Sequence, residues 1–257
     1  MDLTISTLTL ESFLLVLVRT GCFLSISPIF GHRSVNARLR VLISACIAII
    51  VFTSLDVPLP VYDSVFEYSA LVIKEAVVGL ALGFVSSLIM ATLIMAGEFI
   101  DREIGFSMAT NFDMSVGAMV TITAEFYDRL VYLIILITNM HYYILTALVQ
   151  SFQLVPVGDV NINAPILYTT VLSFIGEFFG IGFKIAMPVF LGATMLNVIL
   201  GVLSKSSPQM NMFVIGIQLK VMVGLLLLTI TILFIPNIAT FLMENMTKML
   251  SAVIGGF

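Results

Sequence analysis

Residues 76–97 read AVVGLALGFVSSLIMATLIMAG, 22 residues without a charge. A helix needs about 20 mostly apolar residues to cross a bilayer, so this run is long enough to span alone. The rest of the chain has the same character. Of its 257 residues, 60% are hydrophobic and 10% are charged, where a soluble domain carries about 25% charged. That little polar surface cannot cover a water-facing core. No hydrophilic stretch is long enough to form a separate soluble domain, so residues 1–257 read as one all-α integral membrane unit.

Outward from that run, five more apolar segments follow the chain. Residues 10–30 form the first, interrupted by Glu11 and Arg19, and residues 41–55 form a short second one. Beyond the central run come 130–150, then 165–203, which is too long for one straight span and is expected to be broken by Glu177, Lys184 and Pro188. Residues 221–243 are the last uncharged run. The expected count is six or seven spans. Arg33, Arg38 and Arg40 after the first span favour a cytoplasmic connection there. The acidic connection with Asp56, Asp63 and Glu67 suits the far side.

Several function classes fall away. The net charge of -4 contains no basic run, so nucleic acid has no electrostatic footprint to meet. His32 and His141 lack ligand-spaced partners, so no metal motif is present, and no cofactor is expected. Cys22 and Cys46 lie inside apolar segments and read as small packed hydrophobes. Asp2 and Glu11 occupy the place of a cationic leader region, so no signal cleavage is expected. There is no nucleophile elbow, no His-Glu zinc helix and no phosphate-cradling glycine loop. The chain does not read as an enzyme.

Gly79, Gly83, Ser87 and Ala91 recur every four residues and form one small-residue stripe on a helix. Such a stripe lets another backbone approach closely. Gly176 and Gly180 make a shorter version. Packing within the chain and contact with another subunit both fit the pattern.

The polar segment 98–129 is the most informative part. Glu98 and Arg102 are four residues apart, as are Glu125 and Arg129, each acid preceding its base in the favourable helical order. Between them, residues 105–119 read GFSMATNFDMSVGAM, in which flexible thioethers mix with Phe, Gly and small polar residues. Methionine adapts its shape and seals irregular apolar surfaces. A loop of this kind suits a deformable plug in a pore, and it equally suits core packing. Arg19, Glu177 and Lys184 are ionisable residues within apolar stretches. Each is costly against lipid and is expected to face protein or water.

The residues now assemble into a family pattern. Lys74-Glu75-Ala76-Val77-Val78-Gly79-Leu80-Ala81-Leu82-Gly83-Phe84 leads to Ala96-Gly97-Glu98-Phe99-Ile100 and Gly105-Phe106-Ser107-Met108-Ala109. Further blocks run from His141 through Ser151-Phe152 to Pro156-Val157-Gly158, from Ser207-Pro208-Gln209 to Gly216, and from Leu219-Lys220 to Gly224-Leu225. Together they resemble the FliR family of flagellar type III export-gate proteins, in order and over nearly the whole chain. Two departures stand out. Asp113 is followed by Met114, where the family often has proline, and Gln218 replaces a common proline before Leu219-Lys220.

The resemblance implies a fold of the export-gate type, with a FliP-like part over 1–164 and a FliQ-like helical hairpin over 165–257. It implies a core channel-forming subunit that conducts unfolded flagellar proteins across the bacterial inner membrane at the flagellar basal body. FliP and FliQ homologues would be its partners in a hetero-oligomeric gate, with FlhB and FlhA homologues nearby. The family's constriction loop matches 105–119, which makes Phe106, Met108, Phe112 and Met114 the expected seal. A small-solute secondary transporter is the alternative. That class predicts repeated halves with interrupted helices, and the halves here do not repeat.

Overall fold

The computed structural model describes residues 7–32, 35–55, 57–108, 110–113, 118–161, 163–206 and 212–257. The elements in order are α1 (Thr7–Ile26), α2 (Ala37–Ser54), α3 (Val65–Ile104), a 3-10 turn (Phe106–Met108), β1 (Thr110–Asp113), β2 (Ala118–Thr121), α4 (Ile122–Ile137), α5 (His141–Leu154), α6 (Ala164–Ser206), α7 (Met212–Ile232) and α8 (Ile235–Ile254). Among the described residues the regular structure is helical except for one antiparallel pair, β1–β2, in which Thr110 faces Thr121 and Asp113 faces Ala118. Among the described residues, five helices are long and apolar enough to cross a membrane: α1, α2, α3, α6 and α7. The broken pair α4 and α5 raises this to six if it counts as one span.

The central uncharged run lies inside α3, which extends it to 40 residues. Three boundaries differ from the sequence expectation. The 165–203 segment does not break: α6 is a single 43-residue helix that continues through Glu177, Lys184 and Pro188. A proline removes one helical hydrogen bond, and a helix packed among apolar neighbours tolerates that loss. The 130–150 run breaks instead, at Thr138–Met140, where Asn139 adopts a φ of 59°. The 221–243 run breaks at Leu233–Phe234. Pro236 then sits in the first turn of α8, where its missing N–H costs nothing.

The chain forms two compact units, each assembled from separated segments. The first comprises 1–88, 139–174 and 243–257. Its core includes Leu15, Val16, Phe23, Leu24, Val78 and Leu82, all but sealed from solvent. Phe13 of α1 meets Phe52 of α2 edge-on at 5.8 Å. Gly79 and Gly83 bring α3 against α1: a Cβ at Gly79 would collide with the Arg19 carbonyl, and one at Gly83 would come 2.9 Å from the Phe23 carbonyl. The stripe of small residues therefore serves close packing inside the chain. Asn161 and Asn163 donate their N–H groups to the carbonyls of Phe257 and Gly256, each at 3.1 Å, tying down the chain end.

The second unit comprises 89–138 and 175–242. Here α6 and α7 run antiparallel, with Leu227 against Gly192 and Leu200 within 3.5 Å of a Cβ at Gly216. Phe99 of α3 packs edge-on against Phe183 of α6 at 6.4 Å. The Tyr127 and Thr231 hydroxyls join α4 to α7 at 2.7 Å. Gly224 leaves room for Ile104 at the end of α3. Among the described residues, a Cβ at Gly176 or Gly180 would meet nothing within 4 Å outside its own helix backbone.

Candidate functional site

The segment 105–121 leaves the end of α3 and returns at the start of α4. Gly105 closes α3 with a φ of 100°, a conformation that glycine enters at little cost. Its N–H donates to the Asp101 carbonyl at 2.9 Å. The half-buried Phe106 follows in the 3-10 turn, and the β1–β2 ladder carries the chain out and back. Of the four residues expected to form a seal, Phe106 is fully described. The backbone alone is described for Met108 and Phe112, and Met114 lies outside the described residues.

At the other root, Thr121 occupies the N-cap of α4 without a side-chain capping bond. Its buried Oγ1 has no hydrogen-bond partner. The cap comes from α3 instead. Asp101, fully buried, accepts from the Thr123 N–H at 2.8 Å and from the Thr123 hydroxyl. A carboxylate at a helix N-terminus is favoured both by its hydrogen bonds and by the helix dipole. Gly97, one turn earlier on α3, lies so close to α4 that a Cβ there would collide with the backbone of Ala124.

The charged pairs behave unequally. Arg129 Nη2 lies 3.5 Å from Glu125 Oε1, with both side chains well exposed. Among the described residues, no ion pair joins Glu98 to Arg102, or Glu177 to Lys184. Glu177 and Lys184 are both exposed on α6. Lys184 borders an apolar cleft of about 240 Å³ with Ile185, Pro188, Phe234, Ile238 and Phe241.

Arg19 has the most developed surroundings of any of these residues, and sequence reasoning did not find its partner. Its Nε donates to Glu75 Oε2 at 2.6 Å, with neither side chain exposed at all. Nη1 donates to the carbonyls of Ser151 and Val155, at 3.0 and 2.9 Å. The guanidinium lies over the Phe152 ring, 4.4 Å from its centroid. Glu75 Oε1 in turn accepts from the Gly158 N–H at 2.9 Å. One buried ion pair thus joins α1 and α3 to the end of α5 and the turn after it. The sequence blocks containing Glu75, Ser151-Phe152 and Gly158 all meet at this point.

Comparison with known proteins now fixes the lineage. The family described as bacterial export proteins, family 1, matches residues 10–246. The chain belongs to this family. The flagellar biosynthetic protein FliR of Bacillus subtilis (strain 168) is 32% identical over 249 residues, 94% of this chain and 95% of that protein. The protein of the same name from Escherichia coli (strain K12) is 31% identical over 245 residues, 93% of this chain and 90% of that protein. The one from Aquifex aeolicus (strain VF5) is 29% identical over 231 residues, with 87% and 88% coverage. These names belong to flagellar biosynthesis rather than to an enzyme class. This bacterial export protein is accordingly a flagellar export component held in the inner membrane by its apolar helices, at the flagellar basal body.

Proposed function

We propose that the chain is a channel-forming subunit of the flagellar type III export gate, passing unfolded flagellar proteins without chemistry of its own. The observation that carries this reading is the segment 105–121. Between two apolar helices the sequence is rich in Met and Phe, its described residues form a 3-10 turn and a β pair, and the start of α4 is held by a buried bond from the Thr123 N–H to Asp101. Backbone of that kind beside a bilayer needs protein cover or a wet cavity. Phe106, Met108, Phe112 and Met114 then supply a seal that yields to a passing polypeptide, because thioethers and phenyl rings repack at low cost.

The antiparallel α6–α7 pair supports a FliQ-like hairpin beginning near residue 165, with 1–164 as the FliP-like part. The hairpin tip expected at Pro208-Gln209 lies outside the described residues. Leu191, Met195, Val198 and Val202 of α6 and Met222, Leu225 and Leu226 of α7 are exposed. Sister subunits, rather than lipid alone, would cover much of that surface. FliP and FliQ homologues are the proposed partners, with FlhB and FlhA homologues at the entrance.

Two measurements test this. Tagged chain purified from detergent-solubilised membranes should bring FliP and FliQ homologues with it; an autonomous monomer that binds a small solute overturns the reading. Deleting 105–119 should leave assembly possible and make the membrane leaky to ions. A tight membrane with normal export in that variant rejects the seal.

A further inference from the structure

The 20 residues 185–204 of α6 carry no charge and are bounded by Lys184 and Lys205, both exposed. They make a helix about 30 Å long, the thickness of a bilayer's hydrocarbon layer. Opposite them α7 adds a single charge, the half-buried Lys220. The antiparallel register, Leu227 against Gly192 and Leu200 against Gly216, puts the corner at Leu233–Phe234 level with Lys184. A lysine that bounds an apolar span carries its ammonium to where the headgroups begin. A cleft of about 240 Å³ opens at that level. Ile185 and Pro188 of α6 line it together with Phe234 and Ile238 of the corner and α8. Its polar members are Lys184, Asn237 and Thr231, and the Thr231 hydroxyl is already bonded to Tyr127. No acidic residue lines the cleft, and among the described residues no acid pairs with Lys184.

We propose that this cleft binds an anionic phospholipid, with one acyl chain against its apolar walls and the headgroup phosphate on the Lys184 ammonium. An ammonium without an acid at the membrane surface is complementary to a phosphodiester, and basic pockets between membrane helices hold acidic headgroups in this way. The Asn237 amide can donate a second bond to the same phosphate. A free inorganic anion gains nothing from Phe234 or Ile238 and loses its water on entering, so the apolar walls select an amphiphile. A sister helix would have to bring its own acid to this spot, whereas a bilayer supplies the phosphate at the right depth. The bound chain fills the angle between α6 and the α7–α8 corner and fixes the depth at which the pair sits. The site needs only the α6–α7 pair in the bilayer, and it stands whether or not 105–119 seals a channel.

The chain contains no tryptophan, so Phe234→Trp supplies a single fluorescent reporter at the cleft. The complete chain is reconstituted in vesicles of equal parts phosphatidylglycerol and phosphatidylcholine. One lipid or the other carries bromine, which quenches tryptophan, on its acyl chains. Brominated phosphatidylglycerol should quench as if enriched about fivefold at the reporter, the scale of one lysine facing an anionic headgroup. In the same background Lys184→Gln should remove that preference and Lys184→Arg should keep it, and added salt should weaken it. Lys184 is exposed, so neither change disturbs a packed core. Leu226→Trp, an exposed position on α7 about two turns before the corner, should meet both lipids equally. Equal quenching by the two lipids at position 234 marks ordinary boundary lipid and overturns the proposal. Quenching by neither overturns it as well, because protein, such as a second copy of the chain, then covers the cleft. So does a preference that survives Lys184→Gln, or one that is as strong in Leu226→Trp.

Discussion

Arg19 and Glu75 meet at 2.6 Å with no part of either side chain exposed. Removing one partner of such a pair strands the other charge in a low-dielectric interior, at a cost of about 3–5 kcal/mol. Arg19→Ala and Glu75→Ala should each abolish stable accumulation of the chain in membranes, read by immunoblot and by thermal melting in detergent. Replacing both with apolar residues, as in Arg19→Met/Glu75→Leu, should recover only part of the loss. It removes the stranded charge, but the Gly158 N–H and the Val155 carbonyl lose the partners that this pair supplied. Full recovery in the double variant contradicts that role for the backbone contacts.

The glycine stripes make a contrast. Gly79 faces the backbone of α1, which cannot move aside, so Gly79→Leu should overpack the α1–α3 contact and cost about 1–3 kcal/mol or more. Among the described residues, a Cβ at Gly176 or Gly180 would meet no atom within 4 Å apart from the backbone of its own helix. Gly176→Ala and Gly180→Ala should leave melting of the isolated chain unchanged, or slightly raise it, because alanine favours a helix over glycine by about 1 kcal/mol. Melting curves of the purified chain decide. Equal damage at all three positions rejects the distinction.

The apolar runs were legible because hydropathy is additive along the chain, and α1, α2 and α3 fall where it puts them. Their interruptions were not. Pro188 signals a break, yet α6 runs on, since neighbouring packing outweighs one lost hydrogen bond. Asn139 breaks the chain with no proline or glycine beside it. Pro236, inside a run that hydropathy reads as continuous, stands in the first turn of α8. Of the buried charges, Arg19 was visible as an ion within an apolar run, whereas Glu75 and Asp101 were not. Glu75 lies 56 residues from Arg19 and Thr123 lies 22 from Asp101, and no local periodicity links positions that only tertiary packing brings together. The i,i+4 spacing found the Glu125–Arg129 contact and also offered Glu98–Arg102, for which no ion pair forms among the described residues.

Geometry also ranks these pairs by energy. The Glu125–Arg129 contact spans 3.5 Å, with Arg129 52% exposed and Glu125 36%. Solvent and salt screen a pair so placed, and its worth is about 0.5 kcal/mol or less. Glu125→Gln, which removes this pair from the acid side, should shift melting by no more than about one degree. A loss approaching that of Arg19→Ala assigns Glu125 a role beyond this contact.

Gly97 offers the most direct check on how α3 and α4 are joined. A Cβ at this position would run into the N and Cα atoms of Ala124, one residue beyond Thr123. Backbone cannot rotate away as a flexible side chain can, so Gly97→Ala must push the first turn of α4 off α3. That displacement lengthens the bonds from Thr123 to Asp101 while leaving both residues chemically intact. At Gly224 the obstacle is the Ile104 side chain, which can adopt another rotamer. Gly97→Ala should therefore lower the melting temperature of the purified chain about as much as Asp101→Ala, and the two changes together should cost little more than either alone, whereas the cost of Gly224→Ala should add to that of Asp101→Ala. If Gly224→Ala and Gly97→Ala combine with Asp101→Ala in the same way, general loosening of the second unit accounts for both, and the Asp101–Thr123 contact has no special place.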